Sequence, residues 1–339
     1  MSGSGSDSGV HRREPILSVR GLKVYFPIIT GGLIRTTVPL KAVDEVSFDL
    51  YPGETLGVVG ESGCGKSTLG RGILQLLEPT GGSVVWLGNH IEGLPAAEMK
   101  SYRKEMQIIF QDPLASLNPR MTIGDIIAEP LTVHFPELSV EERKQKVREI
   151  MEQVGLLPLM INRYPHEFSG GQCQRIGVAR AMILKPKLIV CDEPVSALDV
   201  SIQAQIVNLI KGLQDTFGLS LIFISHDLSI VRHISHRIMV LYLGNTVEVA
   251  DRESLYKNPK HPYTKALISA VPLPDPELEK SKKRLVLYGD LPSPLAPPSG
   301  CVFRTRCPLA RDICAVKKPE MTQIGDTHQV ACHFWDHDQ

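Results

Sequence analysis

Gly60-Glu61-Ser62-Gly63-Cys64-Gly65-Lys66-Ser67-Thr68 follows the pattern G-x-x-x-x-G-K-[ST]. Glycines at that spacing let backbone N–H groups curl around phosphate oxygens. A helix opening at Lys66 adds free N–H groups and its positive dipole end to the same anion. Lys66 is placed to reach the β- and γ-phosphates of a bound nucleotide, and the Ser67 hydroxyl to ligate Mg²⁺. Further along, Leu188-Ile189-Val190-Cys191-Asp192-Glu193 is an apolar run that ends in two carboxylates. Asp192 would hold Mg²⁺, directly or through water, and Glu193 would polarise the attacking water. The chemistry these residues point to is hydrolysis of a nucleoside triphosphate.

Strands and helices must bring these segments together. Thr55 to Val59 is a short apolar run that predicts a strand before the glycine-rich turn, and Lys66 to Leu77 predicts the helix after it. Strand-like stretches recur at Ile16 to Phe26, Lys41 to Leu50, 187–191, 219–225 and 237–244, and a helix is predicted over Val200 to Phe217. From about 113 to 185 no clear strand is visible, and Val140 to Val154 has helical periodicity with heavy charge. Strands alternating with helices predict an α/β core with a mostly parallel sheet and a helical insertion. Thr30-Gly31-Gly32 and the residues after them read as a loop insertion. Residues 1–14, rich in Gly and Ser, are expected to be disordered. Residues 271–300 hold 7 of the 25 prolines and read as a stiff, irregular connector; the basic run Lys280, Lys282, Lys283 and Arg284 within it reads as a solvated linker.

Composition bounds the function. With 42% hydrophobic and 22% charged residues the chain can bury a core, which excludes disorder throughout. The 37 basic and 37 acidic residues cancel, which argues against a nucleic-acid-coating protein. No run has the length of a membrane-spanning helix and the N-terminus lacks a signal-peptide core, so a soluble, cytoplasmic chain is expected, with any membrane role through a partner. Of seven cysteines, Cys64, Cys173 and Cys191 read as small core residues. Cys301, Cys307, Cys314 and Cys332 crowd the last 39 residues, and in a reducing compartment they read as a metal or cluster site rather than disulfides.

Phe168-Ser169-Gly170-Gly171-Gln172 resembles the LSGGQ signature of ATP-binding-cassette (ABC) ATPases, and that family's other landmarks stand in order around it over residues 16–255. Gln111 in FQDP is similar to the Q-loop, Ser196-Ala197-Leu198-Asp199 to the D-loop and His226 in ISHD to the switch histidine. Phe26, or the adjacent Tyr25, falls where the family stacks an aromatic on adenine. The resemblance implies that His226 contacts the γ-phosphate, that Gln111 joins Ser67 and Asp192 around Mg²⁺, and that Ser169, Gly170, Gly171 and Gln172 act on an ATP held by a partner cassette. Glycines at a helix start leave N–H groups bare for an anion, consistent with that second role. The family usually has a polar or basic residue after SGGQ, where this chain has Cys173; packing rather than chemistry is expected to differ.

His261-Pro262-Tyr263-Thr264 and Gly300-Cys301-Val302-Phe303-Arg304-Thr305-Arg306-Cys307-Pro308 resemble the tail of peptide-importer ATPases. Together with YPHEFSGGQCQRIG (164–177) and DPLASLNPRMTIG (112–124) they bring the resemblance nearest to the oligopeptide-permease ATPases, with dipeptide-permease ATPases next. The cysteine spacing C-x5-C-x6-C-x17-C suits either zinc or an iron–sulfur cluster, and the lack of tight C-x2-C pairs disfavours zinc. The resemblance carries a [4Fe–4S] cluster onto Cys301, Cys307, Cys314 and Cys332. It further implies a P-loop NTPase (RecA-like) core with an antiparallel β subdomain and a helical subdomain near 113–185, all within 15–255, and a C-terminal extension over 256–339 ending in the Cys-rich module. The implied partners are two transmembrane permease subunits, a paralogous ABC ATPase and, through the permease, a periplasmic or extracellular peptide-binding protein, at the cytoplasmic face of the membrane. A soluble ABC ATPase of repair or translation is the competing reading, set back by the single cassette and modest insert.

Overall fold

The computed structural model describes residues 14–30, 36–272, 277 and 285–336. The expectations for residues 1–13, for the loop beyond Thr30 and for the basic run at 280–284 lie outside these. β1 (Leu17–Thr30) and β2 (Thr36–Leu50) form a long antiparallel hairpin, paired from Leu17 opposite Leu50 to Thr30 opposite Thr36 with register shifts between Val19 and Tyr25. β1 also pairs with β4 (Gly81–Trp86), and β5 (Asn89–His90) closes a four-stranded sheet in the order β2-β1-β4-β5. Leu17, Val19, Leu22 and Val24 of β1 are buried with Val43, Val46, Phe48 and Leu50 of β2. That alternation gives the sheet one face toward the core.

The second sheet carries the chemistry. Its order is β11 (Thr322–Gln323), β12 (Gln329–Val330), β10 (Asn245–Asp251), β9 (Arg237–Tyr242), β3 (Thr55–Val59), β8 (Ser220–Ile224), β7 (Leu188–Asp192) and β6 (Met106–Ile109). β3 (Thr55–Val59), β6 (Met106–Ile109), β7 (Leu188–Asp192), β8 (Ser220–Ile224) and β9 (Arg237–Tyr242) run parallel. Every residue of β3, β7 and β8 is buried. This is why they read in sequence as unbroken apolar runs: helices cover both faces of a parallel sheet. α1 (Lys66–Ile73) follows β3, α2 (Ala96–Glu105) precedes β6, and α6 (Val200–Phe217) and α7 (Leu228–Ile234) follow β7 and β8. Between 113 and 185 the described chain has α3 (Ile123–His134), α4 (Val140–Gln153) and α5 (Gly170–Met182) and no strand. α4 starts on a capping box in which Ser139 and Glu142 bond each other's backbone N–H.

Several elements depart from the sequence reading. α1 stops at Ile73 rather than Leu77, because Gln75 turns the chain through a left-handed conformation with φ of 53°. β4, β5, β6 and β10 (Asn245–Asp251) were not anticipated; each is short, or merges with a neighbouring run across a two-residue turn. α8 (Arg252–Lys257), α9 (Pro262–Ser269) and α10 (Asp312–Val316) lead into and through the tail. The tail is no free-standing module. β12 (Gln329–Val330) pairs with β10 through Glu248 opposite Val330, and β11 (Thr322–Gln323) pairs with β12, so the last strands extend the core sheet. Phe303 is fully buried, edge-on to Tyr242 at 5.2 Å and 5.4 Å from Tyr263. A segment this short cannot close a core alone and shares the one beside it. Among the described residues no helix is long and apolar enough to cross a membrane.

Candidate functional site

The C-terminal ends of four neighbouring parallel strands, in the order β3-β8-β7-β6, deliver the polar residues singled out in the sequence. β3 leads to the phosphate loop, β6 to Gln111, β7 to Asp192 and Glu193, and β8 to His226. Such strand ends are where open α/β sheets bind ligands. In the loop Gly60 and Gly65 have φ of 154° and 102°, and a Cβ on either would collide with a backbone carbonyl, of Leu241 and Ala42 respectively. Gly65 is also the N-cap of α1, and no side chain caps that helix, so its first-turn N–H groups are open to an anion.

Lys66 is buried, and its Nζ donates to the carbonyls of Gly60 at 2.9 Å and Glu61 at 3.0 Å. Ser67 Oγ donates to Asp192 Oδ1 at 2.5 Å. The Ser67 hydroxyl and the buried Asp192 carboxylate thus meet beside the loop, an arrangement that fits Mg²⁺, which takes one or two carboxylates plus substrate phosphate. Glu193 is the hub. Gln111 Nε2 donates to its Oε2 at 3.0 Å, His226 Nδ1 lies 3.3 Å from the same oxygen, and Lys66 Nζ lies 3.7 Å from Oε1. Glu193 itself has a left-handed φ of 45°, a strained choice for a side chain with a Cβ and a common mark of functional sites.

A cleft of about 330 Å³ opens onto this cluster, lined by Phe26, Lys41, residues of the phosphate loop, Gln111, Glu193, Gly244 and Pro294. Of the two aromatic candidates Phe26 faces the cleft, whereas the Tyr25 hydroxyl is tied to Asp44. Ser62, Gly63, Gly65, Lys66, Ser67 and Thr68 line the cleft, while Cys64 is buried and its thiol pKa is raised by burial. Ser169, Gly170, Gly171 and Gln172 do not line it. They open α5: Gln172 N–H donates to Ser169 Oγ at 3.4 Å and Ser169 N–H to Gln172 Oε1 at 2.9 Å. Gly171 lets this turn approach Ile202, whose Cγ2 would lie 2.6 Å from an added Cβ. Asp199 stands at the N-cap of α6 without a side-chain capping bond.

Three contributors were not legible in the sequence. Pro294 of the connector walls the cleft. Tyr263 Oη accepts the Glu61 N–H at 2.9 Å, and Arg306 makes a two-pronged pair with the Glu61 carboxylate at 2.8 and 3.1 Å. That pairing pushes the Arg306 pKa up. The partners lie 202 and 245 residues apart, beyond any local pattern.

The four tail cysteines influence one another. Burial pushes the thiols of Cys301 and Cys307 up to about 11, and their neighbours among Cys314 and Cys332 add to it. Cys332 is raised in the same way. Among the described residues, however, no group of three or more His, Cys, Asp or Glu side chains is arranged to hold a metal ion. As placed, Cys301, Cys307, Cys314 and Cys332 do not form the ligand set expected for a [4Fe–4S] cluster or zinc.

Comparison with known proteins places this geometry. A family model described as ABC transporter matches residues 43–196, and one described as oligopeptide/dipeptide transporter, C-terminal region, matches residues 247–314. The chain is 60% identical over 324 residues to the oligopeptide transport ATP-binding protein OppF of Haemophilus influenzae, covering 95% of this chain and 98% of that protein. It is 59% identical over 325 residues to OppF of Salmonella typhimurium, covering 95% and 97%. Identity to the oligopeptide transport ATP-binding protein AppF of Bacillus subtilis is 53% over 324 residues, covering 95% and 98%. Among solved structures, the ATP-binding cassette MJ0796, a post-hydrolysis dimer bound to ADP and phosphate, superposes with a TM-score of 0.61 at 27% identity, covering 70% of this chain and 98% of that one.

Proposed function

The chain belongs to the ABC transporter family of ATP-binding proteins, and from that premise we propose that it is the ATP-hydrolysing, energy-coupling subunit of a membrane importer for oligopeptides. The observation that carries this reading is the gathering of Lys66, Gln111 and His226 around the Glu193 carboxylate at the ends of adjacent strands. The names of the relatives favour oligopeptides over dipeptides, and favour a transporter over a soluble ATPase.

The residues divide the work as follows. The open N–H groups of α1 and the glycine loop take the β- and γ-phosphates. Lys66 exchanges the Gly60 and Glu61 carbonyls for phosphate oxygens, and Phe26 stacks on the base. Ser67 and Asp192, with Gln111, would hold Mg²⁺, which when bound would supply positive charge against the phosphates. Glu193 accepts a proton from the attacking water, His226 steadies the γ-phosphate, and Gln111, bonded to Glu193, senses which nucleotide is present. Ser169, Gly170, Gly171 and Gln172, together with Asp199, face the ATP of a second, paralogous cassette, so that ATP closes the pair and hydrolysis reopens it.

In this reading residues 15–255 are the nucleotide-binding unit, with its helical part near 113–185, and 256–339 its extension. Two transmembrane permease subunits receive the motion, a peptide-binding protein delivers the cargo, and the chain sits peripherally on the cytoplasmic face. No step passes through the four tail cysteines. Their reading as a cofactor site rests on number and spacing. Iron and sulfide analysis of anaerobically purified protein tests it, with about four irons per chain expected of a cluster.

Co-purification from native membranes in mild detergent tests the whole. Recovery of two polytopic membrane proteins and a second, different cassette is expected. Recovery of ribosomes or DNA in their place would contradict it.

A further inference from the structure

Glu61 is the first variable residue of the phosphate loop, and it is held from three sides. Its N–H donates to Tyr263 Oη at 2.9 Å, and its carbonyl accepts from Lys66 Nζ at 3.0 Å. Its carboxylate receives both terminal nitrogens of Arg306, Nη1 on Oε2 at 2.8 Å and Nη2 on Oε1 at 3.1 Å. The pair is well shielded: the Arg306 side chain is 10% exposed and that of Glu61 29%. A two-pronged guanidinium–carboxylate pair fixes orientation as well as charge, which a lysine could not do equally.

Two of these three holders lie in the tail. Arg306 sits in a turn anchored by its own N–H on the Phe303 carbonyl at 3.0 Å, and Phe303 is wedged against Tyr242 and Tyr263. Behind the loop, β9 leaves no space at Gly60. The loop is therefore clamped between the core sheet and the tail. The carboxylate also poses an electrostatic problem, since an unpaired negative charge in a loop that must receive a polyphosphate repels it. Arg306 answers both needs.

We propose that Arg306 is a positioning residue of the ATP site, which neutralises Glu61 and fixes the phosphate loop from the C-terminal extension. The proposal rests on the reading of Gly60–Thr68 as the ATP-binding loop. Arg306 touches no reacting atom; it acts through Glu61.

The test is ATP binding and hydrolysis by the assembled transporter carrying Arg306→Met, Glu61→Gln, both together, or Tyr263→Phe. Arg306→Met strands the carboxylate and is expected to raise the Kd and KM for ATP about tenfold, with kcat at saturating ATP within about twofold of wild type. Adding Glu61→Gln removes the stranded charge and is expected to bring Kd back to within about threefold. A purely structural contribution of the tail would not be rescued in this way. Tyr263→Phe, which keeps the ring and loses the acceptor, should raise Kd by about threefold. If Arg306→Met fails to assemble, Arg306→Lys replaces it with the same direction expected. An unchanged Kd in the arginine variant, or a double variant no better than the single, overturns the proposal. A wild-type protein that binds no ATP overturns the parent reading instead.

Discussion

Two glycine-rich helix starts, at Lys66 and at Gly170, look alike in sequence and differ in state. At α1 the N-cap is Gly65 in a left-handed conformation, no side chain caps the turn, and a buried lysine and two strand-end carboxylates stand around it. At α5 the N-cap is Ser169, and the reciprocal Ser169–Gln172 capping box already occupies the N–H of Gln172. The first start has no side-chain cap and has the rest of a phosphate site within the same chain. The second has one first-turn N–H taken by its own cap, packs its glycine against Ile202, and lies off the cleft lining. The same motif physics thus stands inside a nearly assembled nucleotide site in one place and apart from it in the other.

The comparison can be broken most severely at Gly65. A methyl group there collides with the Ala42 carbonyl and must also adopt a φ of 102°. Gly65→Ala is therefore expected to weaken ATP binding by more than about a hundredfold, a loss above roughly 2.7 kcal/mol, as titration with a fluorescent ATP analogue would show. Near-native binding would mean that the loop is not the phosphate cradle.

A third helix start sharpens the contrast. α9 is capped by His261, whose Nδ1 accepts the Tyr263 N–H at 3.1 Å. Burial pushes the His261 pKa down to about 4, only partly opposed by Glu248. The folded value lies below the unfolded one of about 6.5, so the unfolded chain binds more protons between them. Stability is then fully present above about pH 6.5 and is lost as pH falls toward 4, by on the order of 3 kcal/mol from this group. Denaturant titrations across that range should show His261→Asn losing less than wild type; parallel curves would show that the cap does not titrate this way.

Ser169→Ala probes the satisfied start. Removing the cap should cost about 1 kcal/mol of stability while leaving ATP binding by the isolated chain unchanged, as a melting curve and the same titration would report. Weakened binding in the isolated chain would mean that α5 serves its own nucleotide. The smallest effect is expected at Gln172→Ala, which removes the other half of the capping box at a cost of roughly 0.5 kcal/mol.

What the sequence revealed follows from how far apart the interacting residues lie. The phosphate loop and the Asp192-Glu193 strand end are local, fixed by one turn and its flanking strand or helix; the Ser169–Gln172 capping box, where the sequence reading expected bare N–H groups, came from the structure. The buried strands β3, β7 and β8 announced themselves as apolar runs because both faces are covered. β10 and the two-residue strands did not, since they are defined by a neighbour rather than by their own pattern. The contacts of Tyr263, Pro294 and Arg306 with the site were invisible for the same reason: each is made across a long stretch of chain. The cysteines marked a region correctly as crowded with thiols, but spacing alone does not dictate whether the side chains converge as ligands.

The central claim is that Glu193, held by Gln111 and within reach of Lys66 and His226, is the base of an ATPase. Single-turnover hydrolysis by the assembled transporter, wild type against Glu193→Gln, tests it most directly. The account predicts that Glu193→Gln binds ATP within about threefold of wild type and slows its cleavage by more than about a hundredfold. Cleavage at an unchanged rate with ATP bound would contradict it.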